Sequence, residues 1–251
     1  MKKLENITFI VAFRLDSVER LENLITILDF LSKLHVKIEL IQSNSFNNHI
    51  IERLLTGYEH LNYRFIEDFD NIFHRTFYLN LVCNEIKSPF IAVWDADVLV
   101  NPVQIYKAYN LLERNEADAV YPYNGLFLNV SCVLREIFIQ KKDISFLINN
   151  QKLMNKLYGD NFVGGGFFIR RESYIYAGME NENFYGWGPE DLNRIERWNS
   201  LNFIIRRTEG PMFHLNHPRN ENGMFRSNLY RDICGLENTI AKYSMGIKDI
   251  L

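Results

Sequence analysis

The segment FIAVW at residues 90–94 is apolar at every position and is followed at once by two aspartates, Asp95 and Asp97, on either side of one alanine. A strand without alternation is covered on both faces, which calls for helices on both sides of a mostly parallel sheet. ITFIVAF at 7–13 has nearly the same character, and SVERLENLITILDFLSKL at 17–34 carries apolar residues at helical spacing, so the chain opens with a strand–loop–helix unit. VKIELIQ (36–42) and NYRFIE (62–67) read as further strands, and a helix through RTFYLNLVCNEI leads into residues 90–94. Asn101 is an N-cap with Pro102 in the first-turn position, and ADAVYPY (117–123) returns to extended structure. Strands alternating with helices define an α/β fold, and 251 residues at 47 % hydrophobic content suit one large domain of this kind.

In open α/β sheets ligands sit outside the carboxyl ends of the strands, and Asp95 and Asp97 occupy such an end. If the extended geometry persists, residues two apart point the same way, so two carboxylates face one spot. A proton or a cation must relieve their repulsion, and carboxylate oxygens suit Mg²⁺ or Mn²⁺. Alone the pattern is weak, because paired aspartates are common as loop and cap residues. A net charge of −3 argues against nucleic-acid binding, so positive charge for an anionic ligand must be local. Cys83, Cys132 and Cys234 show no metal or disulfide spacing, and no segment approaches the roughly 20 apolar residues of a spanning helix. A reducing, cytoplasmic setting is the expectation. Residues 131–157 mix apolar and basic residues and admit two readings, a helical pair packed on the domain or peripheral contact with a membrane.

GWGPED at 186–191 follows a Gly-rich turn and a strand-helix unit, and it resembles the G-W-G-G-E-D signature of β-1,4-galactosyltransferases and related bacterial glycosyltransferases of the GT-A fold. Four further segments resemble the family's motifs in the same order: VAFR (11–14), FHRTFYLN (73–80), WDADVLV (94–100) and MFHLNHPR (212–219). The chain departs from the pattern at Ala12 for a proline, Asp16 for a second arginine, and Pro189 for the second glycine of G-W-G-G.

The resemblance implies a GT-A fold with a nucleotide-binding half at 1–124 and an acceptor/catalytic half at 161–251; residues 125–160 match none of the motifs and are read as an acceptor-side insertion. It implies an inverting transfer of galactose or N-acetylgalactosamine from a UDP-sugar to a saccharide or lipid-linked saccharide acceptor, as in bacterial surface polysaccharide synthesis. Phe13, Arg14, Phe73 and Arg75 fall in its nucleotide site, with the arginines near uracil or phosphate. Asp97 is its Mn²⁺ (or Mg²⁺) ligand, with Asp95 contacting ribose or sugar hydroxyls, or the metal through water. Either His214 or His217 completes the metal site, since an i, i+3 pair in a strand points to opposite faces unless the chain turns between them. Asp191 is the candidate general base and Glu190 a hydroxyl-binding partner, although acidic residues are also favoured at a helix N-terminus without catalysis. Trp187 between two glycines suggests a loop that closes over the donor, and Gly165 permits close backbone approach or simply a tight turn.

Two other readings compete. A sugar-nucleotide-binding relative without turnover is supported by Asp16 and Pro189. A nucleotidyltransferase would carry a Gly-rich phosphate loop after the first strand, whereas FRLDSVERLEN has no glycine there.

Overall fold

A computed structural model describes residues 4–219 and 223–243. The strands are β1 (Ile7–Phe13), β2 (Lys37–Asn44), β3 (Leu61–Glu67), β4 (Phe90–Trp94), β5 (Val98–Leu99), β6 (Ala119–Tyr121), β7 (Phe127–Val130), β8 (Asn155–Lys156), β9 (Gly166–Arg170), β10 (Ile205–Arg207) and β11 (Met212–Leu215). The helices are α1 (Val18–Ser32), α2 (Ile50–Leu54), α3 (Arg75–Cys83), α4 (Pro102–Glu113), α5 (Cys132–Lys141), α6 (Ile144–Asn149), α7 (Arg171–Tyr176), α8 (Glu190–Ser200) and α9 (Asn228–Tyr243).

Seven strands form the central sheet in the order β10-β6-β9-β4-β1-β2-β3. Every pairing in it is parallel except those of β9, which runs antiparallel to both β4 and β6. As the unbroken apolar runs require, β1 and β4 are buried along their whole length. Phe9 meets Trp94 and Phe168 edge-to-face, both at 5.5 Å, and so ties the three middle strands together. Helix α1 starts where Ser17 Oγ accepts from Arg20 N, and α4 where Asn101 and Gln104 form a reciprocal capping box. The result is a mixed α/β architecture with a large, mostly parallel sheet flanked by helices, consistent with a GT-A-like fold.

A second sheet, in the order β5-β11-β7-β8, positions the site. β5 leaves the turn that carries both aspartates and pairs antiparallel with β11, setting Val98 opposite His214. Residues 125–160 supply β7 and β8 of this sheet, with α5 and α6 between them. Helix α5 is held on α1 by Arg135, only 2 % exposed, which donates to Asn23 Oδ1 at 2.8 Å and Glu22 at 2.7 Å. That is the packed-helix reading of this stretch. Among the described residues, no helix is long and apolar enough to cross a membrane.

Candidate active site

Because β4 ends at Trp94, the extended geometry that would aim both aspartates at one spot does not persist, and the two carboxylates take different partners. Asp95 N donates to the Gly165 carbonyl at 2.9 Å, and its side chain accepts from Arg75 at 2.5 Å. Asp97 lies on the other side, with Oδ2 2.9 Å from His217 Nε2. Leu215 N donates to the Asp97 carbonyl at 2.8 Å and fastens the end of β11 to the same turn.

Both histidines lie beside Asp97, as a turn of the chain between them allows. β11 ends at Leu215, so the strand rule no longer governs His217, and ligand-capable atoms of Asp97, His214 and His217 all lie within 4.8 Å of one another. His217 Nδ1 donates to the Pro218 carbonyl at 2.8 Å, and His214 Nδ1 sits 3.0 Å from Asn129 Oδ1. With Nδ1 so engaged, the lone pair of each neutral ring is on Nε2, the usual outer-shell arrangement of a metal-binding histidine. Burial lowers the His214 imidazole to about 4, leaving it neutral and free to ligate. Burial opposes ionisation of Asp97, but its contact with His217 and the nearby positive charge of Arg20 outweigh it and hold the carboxyl well below the usual range. Two imidazoles and one carboxylate fit a first-row divalent ion better than Mg²⁺, which prefers oxygen ligands. Asp95 is outside this cluster and faces Arg75.

Glu190 and Asp191 open α8, where the helix dipole favours negative charge. Among the described residues Glu190 Oε2 is buried without a hydrogen-bond partner, and burial together with the Asp191 charge pushes its carboxyl up to about 8. Glu190 therefore carries a proton at neutral pH. Asp191 accepts from Arg194 one turn later; that arginine is 1 % exposed and reaches both carboxylate oxygens of the buried Glu180, at 3.0 and 2.8 Å. Its guanidinium lies 4.1 Å from the Phe167 ring centroid. Glu180 and Phe167 thus fix Arg194, and Arg194 fixes Asp191.

These groups border one cavity of about 580 Å³, to which Phe13, Arg14, Phe73, Gly165 and Trp187 also contribute. Phe13 is only 3 % exposed, so it belongs mainly to the core. Arg14 spends its donors on the carbonyls of Ser43 (3.1 Å) and Asp70 (2.5 Å) and on Asp68 (2.6 Å), bracing the loop that carries Phe73 instead of reaching freely for a phosphate. Gly165 has φ +84°, and a Cβ there would stand 2.6 Å from Met212 Sδ, so packing beneath the cavity requires glycine. Trp187 is 41 % exposed at the cavity rim and is tied to the segment that leads into α9: its N donates to Met224 O at 3.3 Å, and its ring meets Phe225 at 5.1 Å. A latch supports this pair, since Asp70 accepts from Tyr185 Oη and pairs with Arg226, both at 2.6 Å.

Several cavity residues were not foreseen. Asp16, standing where the resemblance expects arginine, pairs at 2.9 Å with Arg20, and Arg20 brings its guanidinium to the cavity wall. The i, i+4 spacing at the start of α1 carried that signal. Arg219, also at the cavity wall, donates to Tyr158 Oη at 2.7 Å. Tyr158 stacks on Phe162 at 4.3 Å, and Phe162 meets Phe127 at 4.8 Å, forming an aromatic wall. Arg194 was legible only as an acid and a base three apart on a helix.

Residues 145–220 match the family model described as the N-terminal domain of galactosyltransferase. The matched span includes GWGPED and both histidines. The match is a likeness to galactosyltransferases over this part of the chain. No curated protein matches the chain.

Proposed function

We propose that the protein is a metal-dependent, inverting glycosyltransferase that moves a hexose or N-acetylhexosamine, galactose or N-acetylgalactosamine foremost, from a UDP-sugar to a saccharide hydroxyl. The observation that carries this reading is the opening of the Asp97–His214–His217 cluster and the Glu190–Asp191 pair onto a single cavity. A divalent ion held by Asp97, His214 and His217, Mn²⁺ in preference to Mg²⁺, would supply Lewis-acid stabilisation of a departing diphosphate.

The protein's own residues account for the rest. Arg20 and Arg219 offer guanidinium groups for phosphate oxygens. Asp95, held by Arg75, offers its remaining lone pairs to ribose or sugar hydroxyls. Asp191, fixed by Arg194, has a second carboxylate oxygen to take the proton from an acceptor hydroxyl as that group attacks the anomeric carbon. Glu190, protonated, donates a hydrogen bond to an acceptor or donor oxygen instead of competing for the same proton. The wall of Phe127, Tyr158 and Phe162 supplies apolar faces for a sugar ring, and Trp187 excludes water at the rim.

Calorimetric titration of UDP in the presence and absence of Mn²⁺ tests the site. Wild type should bind UDP only with the metal, and Asp97→Asn should weaken that binding by at least about tenfold. Metal-dependent binding that survives the substitution unchanged would sink the assignment.

A further inference from the structure

Helix α9 packs on the domain through one face and leaves another bare. Cys234 and Ala241 are buried, and Glu237 accepts from Asn181 at 2.7 Å, so this side is anchored. On the other side Leu229, Leu236, Ile240 and Tyr243 are 67, 60, 53 and 65 % exposed, and partly buried Ile233 lies between the first two. The order 229, 233, 236, 240, 243 repeats steps of four and three, the heptad spacing of a helix–helix seam. The sequence continues the same steps at Ile247 and Ile250.

We infer that this stripe is a self-association surface, on which α9 of a second copy of the chain pairs as a two-stranded, two-fold symmetric seam. The stripe is narrow. Asp232, Thr239 and Lys242 interrupt the apolar surface around it, whereas a face that lies on a membrane is broad and flanked by basic residues. Full coverage of the four exposed side chains removes about 500 Å² per chain, so two copies bury at most about 1,000 Å², the lower limit for a specific interface. An isologous contact needs no second patch, because the same stripe serves both partners. In an antiparallel register, Leu236 of one copy packs beside Ile240 of the other and Ile233 beside Tyr243.

Sedimentation velocity over a wide concentration series of the full chain tests this. Wild type should form a dimer, and Leu236→Glu/Ile240→Glu should weaken it by about a hundredfold or more. Both positions are exposed, so circular dichroism and UDP binding should be unchanged. Leu229→Glu is the milder second variant should the double change disturb folding. A wild type that stays monomeric throughout overturns the inference, as does a dimer indifferent to both variants. Flotation with phosphatidylglycerol vesicles separates the membrane alternative: a monomer that floats, and ceases to float on Leu236→Glu/Ile240→Glu, also overturns it.

Discussion

Replacing Arg194 by methionine keeps much of its volume over Phe167 but removes the cation between Glu180 and Asp191. Glu180 is 2 % exposed, and its remaining strong donor is Tyr174 Oη at 2.7 Å, so the change strands a carboxylate in the interior. Breaking a buried pair in this way costs about 3–5 kcal/mol, which at about 2–4 °C per kcal/mol for a chain of this size lowers the melting temperature by about 6–20 °C. In wild type, burial works against ionised Glu180, and the charges of Arg194 and Arg75 overcome it. Without Arg194 the folded carboxyl moves above its unfolded value, so the loss should grow as pH rises and shrink toward acid. Arg194→Met/Glu180→Gln removes the stranded charge and should recover most of the stability at pH 8, though not the orientation of Asp191. Urea unfolding of wild type and both variants at two pH values is the assay. A single variant within about 1 kcal/mol of wild type, or a double variant no better than the single, would refute the reasoning.

Glu190→Gln should stabilise the protein in alkali. Its carboxyl is raised from an ordinary 4.5 to about 8, so between those values the unfolded chain has released a proton that the folded one keeps. Stability then falls by up to about 1.4 kcal/mol per pH unit in that window, and the glutamine variant should gain at pH 8 and match wild type at pH 4. Equal unfolding midpoints at pH 8 would count against a protonated Glu190. Asp70→Asn should loosen the rim, because Asp70 receives both Tyr185 and Arg226. Trp94 and Trp198 are at most 1 % exposed, so acrylamide quenching reports Trp187; quenching should increase in the variant, and unchanged quenching would mean that Met224 and Phe225 hold Trp187 unaided.

The scaffold was readable where a residue's fate depends on its neighbours in sequence. The apolar runs of β1 and β4, the Asn101 cap, and the acidic strand end needed only local rules. What was missed depends on contacts across the chain. The second sheet joins Val98 to His214 over a long separation, and no periodicity announces a two-residue strand such as β5. The direction of His217 follows from where β11 stops, which the sequence MFHLNHPR does not mark. Arg14 looked like an anion-binding residue because its acceptors, at positions 43, 68 and 70, lie on the following strands and loops.

The central claim is that one cavity couples a divalent ion at Asp97, His214 and His217 to proton removal at Asp191. UDP release from UDP-galactose and other UDP-sugars, with Mn²⁺ and a mixture of simple saccharide acceptors, tests it most directly. Acceptor-dependent release that a chelator abolishes, and that Asp191→Asn lowers by about 10²-fold or more without loss of UDP binding, is the expected result. Release indifferent to the chelator, or to Asp191→Asn, would contradict the account.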